Sequence, residues 1–409
     1  MNLLPPPHER ELPLPQAYAR IQQELAELGL ASQSQALGQN LLNVRVMLTS
    51  ATSNRQACGS GKGYRACAQT GACFEALEHY LTDYHGLDAP LELWPAHSFS
   101  RTGYFSDDSL LDVVMQDPHA QIACRRYHSP LDNHSFCYPV ALSLPSYAQA
   151  PVAGDTFNYA SLKRYCSNSG IAIGATYNEA VLHAINECLE RDALSLFLLD
   201  HFYYQHDQAL LMLERPQGDT PLAQVWHDAE AELGAEVMVL DISNEFCART
   251  YLAFTSPATR PVGLFGCGTS LDATHAVRRA LTELVQLQLG ARLPEVARHI
   301  NLQQRHLAAF PRLQRCLQLD TDHLLARTRQ YRITLPPWGP NRPLAEQIHL
   351  LARNIHDHGR ALGVSVMYQS NTGITLANVV VPGLERFYIV SSGNVVIPQA
   401  RGMALHARF

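Results

Sequence analysis

His183-Ala-Ile-Asn-Glu187-Cys-Leu-Glu190 is one of three eight-residue stretches built on one template. The others are Gly71-Ala-Cys-Phe-Glu75-Ala-Leu-Glu78 and Arg279-Ala-Leu-Thr-Glu283-Leu-Val-Gln286. Each follows a glycine-bearing segment and opens a helical pattern. An α-helix advances about 100° per residue, so template positions 1, 5 and 8 fall within roughly 60° of arc. Each helix therefore carries a narrow polar stripe with an acid on it. The stripe on the second also takes in Glu179 and Arg191, and that on the third His275.

The surroundings of these acids set them apart from a solvated face. Between Ala66 and Thr82 the only charged residues are Glu75 and Glu78, and between Ala280 and Gly290 the only one is Glu283. Surface helices are much richer in charge. A carboxylate on a helix suited to burial must be paired or must bind metal, because leaving it alone costs on the order of several kcal/mol. Cys and His ligands at metal spacing are absent, and hard oxygen ligands suit Mg²⁺, which shares its shell with phosphates. Acids for metal beside arginines, Lys62 and glycine-rich backbone for phosphate together match a nucleoside triphosphate with Mg²⁺. The common nucleotide motifs are missing: Gly61-Lys62 is followed by Gly63 rather than Ser or Thr, and neither Gly59-Ser-Gly-Lys-Gly63 nor Gly266-Cys-Gly268 completes GxGxxG.

Composition narrows the class. The chain has 409 residues, 46% of them hydrophobic, with formal charge −6, so it can bury a large core and lacks the basic footprint of a nucleic-acid binder. The N-terminus lacks a signal-peptide layout and no apolar run is long enough to span a bilayer, which together predict a cytoplasmic protein off the membrane. The ten cysteines include no CxxC pair. Periodicity and glycine stops predict helices over Gln16–Leu28, Ala66–Leu81, Asn178–His201, Pro221–Leu233, Ala273–Gly290 and Leu344–Leu362. Strands are expected over Leu42–Leu48, Ala235–Ser243, Thr250–Thr255, Val262–Phe265, Val364–Tyr368 and Thr375–Val381. Gly59–Gly63 reads as a loop, 85–150 as short strands and connections, and 291–340 as irregular. Residues 1–409 read as one domain whose halves repeat, with 1–12 as a flexible leader. Arg125-Arg126 reads as a surface pair.

The ordered set Gly61-Lys-Gly, Glu75-Ala-Leu-Glu78, Ser167-Asn-Ser-Gly, Asn178-Glu-Ala180, Asn186-Glu-Cys-Leu-Glu-Arg191 and Arg279-Ala-Leu-Thr-Glu-Leu-Val-Gln286 resembles the YcaO family. The resemblance implies an α/β fold, with mixed β-sheets and helices around a buried ATP/Mg²⁺ cleft. It implies Glu75, Glu78, Glu187 and Glu190 as metal ligands, and Lys62, Glu179, Arg191, Arg279, Glu283 and Gln286 as nucleotide-binding residues, with ATP and Mg²⁺ as cofactors. The activity expected is O-phosphorylation of a peptide backbone amide, leading to azoline formation at Cys, Ser or Thr of a ribosomally made peptide. Alternatives are thioamide formation, an accessory role in ribosomal-protein modification, or a catalytically degenerate ATP-binding scaffold. Family members often have Asn after the second approach loop's glycine, where this chain has Ala175, and azoline-forming members usually end in Pro-x-Pro-x-Pro, where this chain ends Ile397-Pro-Gln-Ala-Arg-Gly-Met-Ala-Leu-His-Ala-Arg-Phe409. Expected partners are a peptide or protein substrate and a substrate-delivering or sulfur-supplying protein, with a homodimer also expected. No general base is evident.

Overall fold

Glycine placement decides how the template helices are seated. The computed structural model describes residues 8–99, 105, 107–256, 263–337 and 342–407. In chain order, α1 (Leu14–Glu27) leads to an antiparallel meander of β1 (Leu30–Leu37), β2 (Leu42–Ser50) and β3 (Gln56–Gly63), and then to α2 (Arg65–His85). The glycine segment 59–63 is thus strand, not the loop its composition suggests. Its glycines are there for contact: a Cβ on Gly59 or Gly61 would lie within 3.0 Å of α2 backbone at Ala76 or at Ala68 and Ala72. Bare backbone lets helix and strand approach until the helix's polar stripe lies beside the strand's amides.

The same construction recurs. After β4 (Glu92–Pro95), α3 (Ser109–Met115), β5 (Gln121–His128), β6 (Ser135–Pro139), β7 (Ile171–Gly174), α4 (Tyr177–Leu198) and β8 (Leu210–Leu213), the chain forms α5 (Pro221–Leu233), β9 (Val237–Asp241), β10 (Arg249–Thr255), β11 (Phe265–Ser270) and α6 (Ala273–Gly290). Strands β9, β10 and β11 again make an antiparallel meander. A Cβ on Gly266 or Gly268 would fall on α6 backbone at Leu284 or at Ala276 and Ala280, the template equivalents of the residues met from Gly59 and Gly61.

Past α7 (Pro294–Leu307), α8 (Pro311–Gln318), α9 (Thr321–Arg327) and β12 (Gln330–Ile333), a third copy is assembled from two parts of the chain. Helix α10 (Leu344–Asp357), β13 (Gly363–Gln369) and β14 (Thr375–Val380) meet β7, which feeds α4; α11 (Ala400–His406) follows. The template helix of each copy also touches the last strand of another: α2 on β7, α4 on β11, α6 on β3. Where the sequence reads as two repeating halves, the structure has three such units closed in a ring, and the three acidic stripes face one centre.

Helix ends follow local rules. Thr176 caps α4 by accepting from the Glu179 amide, Asp272 caps α6 by accepting from the Thr274 amide, and Gly234 ends α5 in the left-handed region at φ +66. Several elements depart from expectation. The edge strand β1, rich in Ser and Gln, has no apolar alternation and is held by its ladder with β2. Segment 291–340 holds α7, α8 and α9, which are short or largely exposed, so their periodicity is weak. Within 85–150, α3 and the buried strand β5 lie among the expected short elements. The strand expected over Val262–Phe265 lies later, as β11 from Phe265 to Ser270, with residues 263 and 264 outside it; Val262 and residues 1–7 lie outside the described residues. Among the described residues no helix is long and apolar enough to cross a membrane.

Candidate active site

The three template helices enclose a cavity of about 500 Å³. Its walls include every site residue named from the sequence: Lys62, Glu75, Glu78, Glu179, Glu187, Glu190, Arg191, Arg279, Glu283 and Gln286. Segments more than 200 residues apart meet there, as where Lys62 on β3 pairs with Glu283 on α6.

The stripe residues grip strand backbone by a shared rule. At template position 5, Glu75 accepts from the Ser60 amide at 3.0 Å and Glu283 from the Cys267 amide at 3.4 Å, each amide lying between two seating glycines. Glu187, the same position in α4, accepts from the Gly170 amide at 3.3 Å and pairs with Arg191 at 3.1 Å. Position 8 crosses to a neighbouring unit: Glu78 accepts from the Ile173 amide at 2.9 Å, and Gln286 donates to the Ser60 carbonyl at 2.7 Å. Glu190, the position-8 residue of α4, differs, because its Oε2 is buried without a hydrogen-bond partner.

Electrostatics at this centre are unfavourable as they stand. Burial lifts the Glu78 carboxyl well above the usual range, and the neighbouring Glu187 and Glu75 lift it further. Burial, then the Glu283 carboxylate, pushes Glu190 up to about 7 against the pull of Arg279 and Lys62. Glu75 is raised chiefly by burial. Desolvated carboxylates that raise one another's proton affinity form a cation-seeking arrangement. The cationic side is incomplete as well. Arg279 donates to His183 Nδ1 at 3.2 Å, yet its Nε is buried without a partner. His183 is held neutral by burial and by that guanidinium. An orphaned carboxylate oxygen and an orphaned guanidinium N–H on one cavity fit a divalent cation and a polyphosphate anion. Among the described residues no three acid, His or Cys side chains converge as a ready-made metal cage.

Residues 8–12 overturn the reading of a flexible leader. His8, Arg10 and Leu12 line the cavity. Glu9, left-handed at φ +56, buries its carboxylate against Asn186 on α4, Ser270 on β11 and His275 on α6. The amides of Glu11 and Leu12 donate to Glu179 Oε1, and Ala175 N to its Oε2. Glu179 thus lines the cavity with both oxygens engaged, holding this strap. Nothing in the sequence signals it, since the partners are more than 160 residues away. The Arg125-Arg126 surface pair is also corrected. Strand alternation in β5 sends Arg126 outward to Glu92 and Arg125 inward, where it is 1% exposed and donates to Gly86 O and Asn378 Oδ1.

Comparisons with known proteins give the family and the fold. A family model described as YcaO cyclodehydratase, ATP- and Mg²⁺-binding, matches residues 60–385. The chain is 25% identical over 300 residues to an uncharacterized protein in the tfuA 3′ region of Rhizobium leguminosarum bv. trifolii, covering 69% of this chain and 67% of that one. Among solved structures it is similar to YcaO from Methanopyrus kandleri bound with AMPPCP and Mg²⁺, with TM-score 0.65, 17% identity and coverage of 95% and 96%. It is also similar to a chain of the E. coli microcin synthetase McbBCD complex with pro-MccB17 bound, with TM-score 0.55, 13% identity and coverage of 87% and 88%. At these identities the structural likeness is one of fold.

Proposed function

The chain belongs to the YcaO family, whose members bind ATP and Mg²⁺, and from that premise we propose that it activates a backbone amide of a peptide by phosphorylating the amide oxygen. The reading is carried by one observation: every acid and cation picked from the sequence lines a single cavity whose carboxylates raise one another's proton affinity. Glu75, Glu78, Glu187 and Glu190 would hold Mg²⁺. Arg191, Arg279 and Lys62 would face phosphate oxygens, while Glu179, Glu283 and Gln286 complete the wall.

An amide oxygen leaves carbon only as a poor leaving group, and bound ATP supplies the phosphoryl group that lets it depart as phosphate. A Cys, Ser or Thr side chain of the peptide attacks the amide carbon and gives up its proton. The carbon–oxygen bond then breaks with phosphate leaving, the amide nitrogen gives up its own proton as the carbon–nitrogen double bond forms, and the azoline has lost one water relative to the peptide. Here the protein's part is placement and charge. Arg279 is held by His183, whose neutral Nδ1 accepts its N–H without competing for anions. Arg191 is held against Glu187. External sulfide as the attacking group would give a thioamide instead. The several-protein microcin synthetase complex supports delivery of the peptide by a separate partner protein.

The test is ATP consumption dependent on a Cys/Ser-bearing peptide, in wild type and Glu187→Ala. Peptide-dependent turnover lost in the variant is the expected result, with product lighter by one water for an azoline or showing oxygen-for-sulfur exchange for a thioamide. Nucleotide binding without turnover in wild type would replace this proposal with the scaffold reading.

A further inference from the structure

Tyr388 does not line the cavity, yet three of its parts are joined to Arg191, which does. It sits in a short 3₁₀ turn, Phe387–Ser392, and is 9% exposed. Its hydroxyl accepts from Arg191 Nη1 at 3.1 Å. Its ring lies under the same guanidinium, 4.9 Å from the ring centroid to Cζ. Its amide donates to Ser195 Oγ at 2.8 Å, and that hydroxyl donates to the Arg191 carbonyl at 2.6 Å. Side chain and backbone are therefore registered to one arginine.

The contacts continue into a closed circuit. The Tyr388 hydroxyl lies 2.7 Å from Ser167 Oγ, which also accepts from the Ser169 amide at 3.3 Å. The next residue, Gly170, donates its amide to Glu187, and Glu187 holds the other end of the Arg191 guanidinium. Between Ser167 and Ser169, Asn168 faces the cavity. Thus Tyr388, Arg191, Glu187 and the 167–170 loop form one hydrogen-bonded ring around a corner of the site. A long arginine side chain gives up rotamer freedom when it grips a phosphate, and a partner that immobilises it beforehand removes that cost from binding. Stacking on an aromatic face adds attraction without consuming the outward N–H donors.

We propose that Tyr388 is a positioning residue that holds Arg191 ready for the nucleotide's phosphates and, through Ser167, ties the Asn168 loop to the same arrangement. This rests on the reading of the cavity as the ATP site.

The test is calorimetric binding of Mg·AMPPCP to the full chain, alongside melting of the nucleotide-free protein, for wild type, Tyr388→Phe, Ser167→Ala, Arg191→Ala and Arg191→Ala/Tyr388→Phe. Tyr388→Phe keeps the ring and loses the hydroxyl. It is expected to weaken AMPPCP by about five- to tenfold, a part of the roughly ten- to hundredfold that one hydrogen bond to a charged group carries because the aromatic stacking and the Glu187 pairing remain, with little change in melting. Ser167→Ala is expected to give a smaller loss, and it decides the matter if Tyr388→Phe fails to fold. In the Arg191→Ala background, Tyr388→Phe should cost nothing more, because the pair acts as a unit. Unchanged affinity in Tyr388→Phe, a lower melting point without loss of affinity, or the same loss in the Arg191→Ala background each overturns the proposal. A wild-type chain that binds no Mg·AMPPCP overturns the ATP reading itself, and Tyr388's role with it.

Discussion

Replacing Glu190 by glutamine should stabilise the nucleotide-free protein and weaken the nucleotide complex, in a way set by pH. Burial and the Glu283 carboxylate lift the Glu190 carboxyl from 4.5 to about 7. Between those values the folded protein keeps a proton that the unfolded chain has lost, so stability falls as pH rises through that window. Each unit of displacement corresponds to about 1.4 kcal/mol, so the full loss is on the order of 3 kcal/mol, complete above pH 7. Glutamine has the same shape and no such loss. The variant and wild type should melt together near pH 4.5, and at pH 8 the variant should melt higher by ~3 °C, using the entropy of unfolding typical for a chain this long. Added Mg·AMPPCP should reverse the order, because a ligand raises the melting point only of a protein that binds it. Scanning calorimetry at pH 5, 6.5 and 8, with and without Mg·AMPPCP, measures all of this. Parallel pH profiles for the two proteins, or a variant that melts below wild type at pH 8 without ligand, would refute the charge argument.

Other consequences follow from the same geometry. Mg²⁺ binding at pH 6.5 should release a fraction of a proton, since Glu190 must ionise to bind. The release should be smaller in Glu190→Gln, where the raised Glu78 and Glu75 carboxyls still contribute, as read by titration calorimetry in buffers of different ionisation enthalpy. Gly61→Ala puts a Cβ under 3.0 Å from α2 backbone and should cost about 3 kcal/mol or more in urea unfolding. Gly234→Ala meets no atom within 4 Å and should cost only about 1 kcal/mol, for its left-handed φ of +66. Arg125→Ala should destabilise by about 3 kcal/mol, leaving Gly86 O and Asn378 Oδ1 without their donor. Arg126→Ala, which breaks an exposed pair with Glu92, should stay under about 1 kcal/mol.

The legible part of the site was the part written in local spacing. Helical periodicity located α2, α4 and α6, and the scarcity of other charge on α2 and α6 marked Glu75, Glu78 and Glu283 as more than surface residues. The strap over residues 8–12 was misread because an unpatterned segment gains its order from distant partners such as Glu179 and Ser270. Tyr388 escaped notice for the same reason, since its relation to Arg191 spans 197 positions.

The sequence by itself therefore determined that α2, α4 and α6 form, which face of each carries acid, and the family to which that order of residues belongs. These rest on interactions within a few residues of chain, where spacing is geometry. Only the tertiary structure decided that the three faces share one cavity, that Gly59, Gly61, Gly266 and Gly268 serve close packing rather than turning, and that Arg125 is buried while Arg126 is not. Those outcomes depend on which strand lies beside which helix. That choice is made by packing of the whole chain, and no local pattern encodes it.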